Sequence, residues 1–258
     1  MRKSVLPVLG FLLTAAISHA QQATTSGTPV LVELFTSEGC SSCPPADRFI
    51  EYLDTQPIAG LTLIVLSEHV DYWNRQGWKD PFSSRDISER QYAYGQKFRL
   101  KDVYTPQFVV DGAKEVNANA DEIRAVLKEA SQLKKVTLEL NLAQRDPQRV
   151  KVHLEADLRK GDSKQEALDI YLAIALDHAQ TVVTAGENAK KTLSHTAVVR
   201  KITLIGRVRS GELLSRDIDL KTNEFGNSAL RIVAFLQEQG SGRIHGAAMV
   251  PVSCNAAR

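Results

Sequence analysis

The hydrophobic period changes once along the chain, near residue 135, and this change limits the fold more than any other feature. From Pro29 to about Lys135, apolar runs alternate with helix-like segments. VLVELF (30–35) and LTLIVLSEHV (61–70) are continuous apolar stretches of strand length, the pattern of strands buried on both faces. Between them PADRFIEYLD (45–54) brings Phe49, Tyr52 and Leu53 to one helical face. DISERQYAYGQKFRL (86–100) reads as a second helix. QFVV and AKEVN flank Asp111-Gly112, a strong two-residue hairpin signal. Asn119 opens a last helix with Ile123, Val126 and Leu127 spaced for burial. After Lys135 the period becomes two: Val136, Leu138, Leu140 and Leu142 alternate with polar partners, and several similar segments follow. The expected architecture is an α/β domain over residues 29–135 followed by an all-β antiparallel sandwich-like domain over residues 136–258.

The amino terminus sets the redox context. MRK, the apolar run VLPVLGFLLTAAI and the small residues SHA describe a signal peptide over residues 1–20, cut after Ala20. Pro7 and the short run argue against a membrane anchor, since a spanning helix needs roughly 20 apolar residues. A periplasmic or secreted protein without a stable membrane anchor is expected. The 32 lysines and arginines exceed the 30 acidic residues by two, and Arg2 and Lys3 lie in the leader. The remaining chain is neutral and carries no dense basic stripe, so no nucleic-acid partner is expected. Three cysteines in an oxidising compartment allow one disulfide and one leftover thiol, with Cys254 in the terminal tail the odd one.

The chemistry concentrates in EGCSSCPPAD, where Cys40 and Cys43 stand in C-x-x-C spacing. Three readings are open: a redox-active dithiol, a metal site and a structural staple. The metal reading adds His69, at the end of the second apolar strand. Two thiolates and an imidazole suit copper(I) or zinc. A thiolate is the nucleophile of disulfide exchange, and helix N-termini favour anions.

A resemblance sharpens these readings. The order of the first segment, the C-x-x-C and VYTPQFVV together resemble a thioredoxin fold. That likeness implies a cis Thr105–Pro106 bond facing the cysteines, with Pro106 part of the site. It also implies a role for Glu33, which stands where such proteins bury a carboxylate beneath the cysteine pair, as proton acceptor for Cys43. EGCSSCPPAD, HVDYWNRQGWKDPFSSR, YTPQFVVDG and GENAKKTLSHTAVVR further resemble a secreted bacterial family catalogued as a domain of unknown function with a thioredoxin-like fold. That implies fold and export but no substrate. The functional expectation is an exported thiol–disulfide oxidoreductase. It would act on exported proteins or small disulfides, with an unidentified redox partner to recycle it and no resident cofactor. The alternative is a secreted binding module or copper- or zinc-binding protein without redox turnover.

Within the pair, Cys40 is expected to attack and Cys43 to resolve. Pro44-Pro45 disfavours helical geometry at Cys43, so the helix is expected to begin at Pro45 and to leave Cys43 more exposed than in an ordinary thioredoxin. Glu38, if turned inward, opposes thiolate formation. Tyr72, Trp73, Trp78 and Phe82 form either a ligand groove beside Cys40 or a satellite core. Arg75, Lys79 and Asp80 are expected to be solvated or locally paired. The GENAKK loop is expected to pack near the cysteines, with Arg200 paired to a carboxylate.

Overall fold

The computed structural model describes residues 27–146, 148–159 and 166–253. The expected signal segment and Cys254 lie outside the described residues. The first half follows the order read from the sequence: β1 (Thr28–Thr36), α1 (Pro44–Thr55), β2 (Leu61–His69), a 3-10 turn (Tyr72–Arg75), α2 (Arg85–Lys97), β3 (Gln107–Val110), β4 (Lys114–Asn117) and α3 (Ala120–Ser131). Strands follow: β5 (Thr137–Arg145), β6 (Arg149–Asp157), β7 (Ala167–Val182), β8 (Thr192–Arg209), β9 (Leu213–Lys221), β10 (Leu230–Gln237) and β11 (Ile244–Val252). Local chemistry explains the boundaries. Ser84 caps α2 by accepting from the Ile87 N–H, and Asn119 caps α3 through the N–H groups of Asp121 and Glu122. The β3–β4 turn holds both Asp111 and Gly112 at positive φ, as a tight hairpin of this kind requires.

The two-domain expectation does not hold. The strands of both halves join one mixed eight-stranded sheet in the order β11-β10-β7-β8-β2-β1-β3-β4. The join is β8, which runs antiparallel to β7 along its length and meets β2 in parallel through Ser67 and Val198. The chain is therefore neither a thioredoxin-like α/β domain nor a separate sandwich appended to it. Alternation reports that a strand has an inner face, not which strand lies beside it. Among the described residues β5, β6 and β9 form a second sheet, and it packs on β7 and β10 around Leu154, Val152, Leu172 and Ile232.

The central strands are covered on both faces. Val30, Val32 and Leu34 of β1 pack with Ile50 of α1 and Ile123 and Leu127 of α3. Leu31 and Phe35 point the other way, toward Ile87 and Tyr94 of α2 and Phe235 of β10. One ion pair ties the halves together: Arg231 of β10 pairs with Asp54 of α1, and also meets Asp177 of β7. At the boundary, Lys135 pairs with Asp111 of the β3–β4 turn. No helix among the described residues is long and apolar enough to cross a membrane.

Candidate functional site

Cys40 and Cys43 are joined by a disulfide, with their Cα atoms 5.4 Å apart. The turn from Ser37 to Cys43 is held by its own backbone: Cys40 N–H donates to the Ser37 carbonyl and Cys43 N–H to the Cys40 carbonyl. Cys43 precedes α1 directly, and its carbonyl accepts the N–H groups of Ala46 and Asp47. The helix starts at Pro44, one residue earlier than the prolines suggest, and Cys43 itself sits at φ −76°, ψ −37°. Its carbonyl bonds to the first helical turn compensate the crowding by the following proline ring. Neither cysteine has exposed surface, so the expectation of a more exposed Cys43 fails too. Ser41 and Ser42 between them are exposed.

The Thr105–Pro106 bond is cis. The Cys40 Sγ lies 3.9 Å from the Thr105 carbonyl oxygen and 3.4 Å from the Ser42 hydroxyl. Trp73 Nε1 donates to the Thr105 hydroxyl at 2.8 Å, and the Trp73 Cβ crowds Gly39, where an added Cβ would come within 3.0 Å. Trp78 Nε1 donates to Glu38 at 2.8 Å, and Tyr72 hydroxyl donates to Gln91. The aromatic stretch is thus a half-buried frame fastened by its polar atoms to the cysteine turn and to α2.

Beneath the turn lies a buried network that the sequence reading only partly located. Glu38, His69, Asp80 and His195 are all essentially inaccessible. His69 Nδ1 is 2.7 Å from Asp80 Oδ2, which also accepts the Glu38 N–H; Asp80 Oδ1 accepts the Phe82 N–H. Burial pushes the Asp80 carboxyl up, but the charge of His69 and these hydrogen bonds outweigh it and bring it down to about 2. Asp80 is therefore a fixed anion; of the two expectations for it, solvated or locally paired, the paired one holds, with His69 as the partner. His195 Nε2 faces Glu38 at 3.3 Å and its Nδ1 lies 3.8 Å from Asp47, whose other oxygen accepts from Thr36. Burial would lower the imidazole, yet Asp47 and Glu38 raise it to about 9. Glu38 does turn inward, but it is matched by His195 and Trp78.

The GENAKK loop packs where expected. Asn188, fully buried, donates to the carbonyls of Glu38 and Cys40 at 2.8 and 2.9 Å, and Glu187 accepts from the Ser41 N–H at 3.2 Å. Arg200 differs from expectation. It donates to the Pro81 carbonyl and lies over the Phe82 ring instead of pairing with a carboxylate. The nearby acids Asp80 and Glu38 are already matched by the two histidines.

Glu33 is buried, as its apolar neighbours imply, but it lies on the opposite face from α1. Arg90 and the Tyr94 hydroxyl hold its two oxygens. Glu68, which the sequence reading passed over, joins it: Arg90 Nε is 3.7 Å away and neither oxygen has a hydrogen-bond partner. Burial, reinforced by the charge of Glu33 and opposed by Arg90, pushes the Glu68 carboxyl well above its ordinary range. A cavity of about 840 Å³ opens on this face, lined by Arg90, Tyr94, Tyr171 and Arg207 among others, and by neither cysteine. A carboxylate inside the apolar run LTLIVLSEHV was the one available signal for Glu68.

The metal set Cys40, Cys43 and His69 is not assembled in the disulfide form, since the sulfurs are bonded to each other and His69 to Asp80. Among the described residues no group of three or more His, Cys, Asp or Glu is placed to hold a metal ion.

Comparison with known proteins agrees with one continuous fold. A crystal structure of a protein from Agrobacterium tumefaciens is similar at TM-score 0.65 and 25% identity, over 90% of this chain and 97% of that one. HBP35 of Porphyromonas gingivalis is similar in fold at TM-score 0.68 and 13% identity, over 90% of this chain and 78% of that one. No curated protein matches the chain. With residues 31–237 matching the family model, the chain belongs to the family described as protein of unknown function DUF1223.

Proposed function

We propose that the protein is an exported thiol–disulfide exchange protein and that Cys40 and Cys43 are its reacting pair. The observation that carries this reading is a bridge closing only a C-x-x-C at the entry to α1, with Cys40 beside the Thr105 carbonyl. A bridge this short is a weak staple. In the loop-entropy account a four-residue loop contributes about 2 kcal/mol, against about 5 for one of a hundred residues. Reactivity explains the spacing better than stability does.

The oxidised form accepts two electrons. A substrate thiolate attacks Cys40 Sγ; a substrate–Cys40 disulfide forms, the Cys40–Cys43 bond breaks, and Cys43 leaves as a thiolate. A second substrate thiolate then attacks its own sulfur in the mixed disulfide and releases Cys40. The substrate is oxidised to a disulfide and its two protons pass to the cysteine pair. A disulfide-bearing partner protein takes the electrons in the reverse sequence. The same pair, reduced first, reduces exported proteins or small disulfides.

Trapping tests the reading. Cys43→Ser accumulates reducible adducts on Cys40, Cys40→Ser accumulates none, and the parent chain exchanges with a reduced or scrambled protein. Absence of both adducts and exchange sinks it. One observation favours a second reading, a structural bridge: neither cysteine has exposed surface. That reading predicts no exchange, and loss of about 2 kcal/mol of stability as the only effect of removing the bridge. Export is tested by N-terminal sequencing of the protein recovered outside the cytoplasm; an intact Met1 rejects it.

A further inference from the structure

The loop between β7 and β8 touches the cysteine turn through two residues of opposite character. Asn188 is immobilised: its amide donates to the carbonyls of Glu38 and Cys40, and its oxygen accepts from Lys191 at 2.9 Å. Gly186, at φ +74°, lets the loop press on Trp78, where an added Cβ would come within 3.1 Å. Backbone bonds close the loop on itself, from Val183 to Lys191 and from Lys190 back to Val183. Glu187 is different. Its side chain is exposed, and it makes one long contact, accepting the Ser41 N–H at 3.2 Å. Ser41 lies between the two cysteines, in an exposed segment whose neighbouring sulfurs are covered.

Resting on the exchange reading above, we propose that Glu187 is a removable latch and positioning residue. Its carboxylate holds the Ser41 N–H until an acceptor from an incoming peptide, a main-chain carbonyl in an extended segment beside a cysteine, takes its place. Asn188 keeps the loop and the cysteine turn in register while the latch changes partner. A main-chain N–H beside the reacting bond is the kind of donor through which extended peptides are bound. One hydrogen bond at a solvent-exposed position is cheap to exchange, since its net worth is about 0.5–1.5 kcal/mol. The specificity that results is for unfolded or extended thiol-bearing polypeptides over compact small thiols.

The test uses the full oxidised chain and follows reduction of Cys40–Cys43 by dithiothreitol and by a cysteine-containing peptide of extended sequence. Glu187→Ala is expected to accelerate reduction by dithiothreitol about three- to ten-fold. Its thermal midpoint should fall by no more than about 2–4 °C, the equivalent of one such bond. Glu187→Gln, which keeps an acceptor oxygen, is expected to restore most of the parent rate. The parent's preference for the peptide over dithiothreitol should narrow in Glu187→Ala. An unchanged dithiothreitol rate overturns the latch, and so does acceleration accompanied by a fall in thermal midpoint well beyond that of one hydrogen bond. The two ideas fail separately. If Glu187→Ala speeds reduction but Cys43→Ser traps no partner, the latch stands as a cover on a structural bridge and exchange is rejected. If partners are trapped and the rates do not move, only the latch is lost.

Discussion

Glu68 and His69 are neighbours on β2, yet they serve different buried networks on opposite faces of the same strands. On the α1 face, each buried acid beneath the cysteine turn has a basic partner: Asp80 has His69, and Glu38 and Asp47 share His195. On the α2 face, Glu33 and Glu68 share the single cation Arg90. The first face sets three acids against two imidazoles, but each acid there also has a hydrogen-bond donor: Trp78 for Glu38, Thr36 for Asp47, and the Glu38 and Phe82 N–H groups for Asp80. On the second face Glu68 has no hydrogen-bond partner, and burial and its neighbour Glu33 raise its carboxyl. Where the buried acids are hydrogen-bonded, the fold has placed a sulfur–sulfur bond; where one is not, it has placed an open cavity.

The α2 face should break hardest. Arg90→Met leaves Glu33 buried without its cation and is expected to cost about 3–5 kcal/mol, measured by urea unfolding at neutral pH. A loss under about 1 kcal/mol would mean that Glu33 takes up a proton at little cost and that the contrast between the faces is weak.

The α1 face should reveal itself through pH. His195 is raised from 6.5 to about 9 in the fold. Its stabilising contribution is fully present below pH 6.5 and is lost as pH rises through about 9, amounting to at most about 3 kcal/mol. Unfolding free energy measured from pH 6 to 10 should fall over that window in the parent and stay flatter in His195→Gln. Parallel curves for the two chains would remove His195 from the account.

Asn188→Ala should cost about 2 kcal/mol, because it leaves the buried Glu38 carbonyl without a donor and the Cys40 carbonyl with the Cys43 N–H alone. Denaturant unfolding of the oxidised chain checks this. A loss of a few tenths would show that water replaces the amide and that the loop is not anchored there.

The smallest effect is expected at Glu68. A carboxyl raised above its unfolded value stabilises the fold below the ordinary carboxylate range. That stability is lost as pH rises through the raised value. Glu68→Gln imitates the neutral acid, so it should match the parent near pH 4 and gain up to about 1 kcal/mol above neutrality. A variant less stable than the parent at pH 8 would show that the ionised form is the one the fold uses.

The elements were legible in the sequence because their signals are local. Asp111-Gly112 carries a hairpin wherever it stands, Asn119 caps the helix that follows it, and the paired cysteines reach each other across two residues by geometry alone. The proximity of Asn188 to Cys40 was suggested only by the density of polar residues in GENAKK. Asp80 could not be told from its solvated neighbours Arg75 and Lys79, because burial of a charge depends on a partner elsewhere, here His69.

The chain by itself determined the order of most strands and helices, which faces are apolar and which cysteines pair, since these follow from spacing within a few residues. Tertiary structure alone decided that β8 lies against β2 and fuses the halves into one sheet. It alone gave Glu33 to Arg90 instead of to the cysteines, and it raised His195 by setting Asp47 and Glu38 around it. The physical reason is common to all three. Alternation, charge and burial state what a residue needs, but a strand edge or an ionised group is satisfied by whichever partner the fold brings close, and that partner stands far away in sequence.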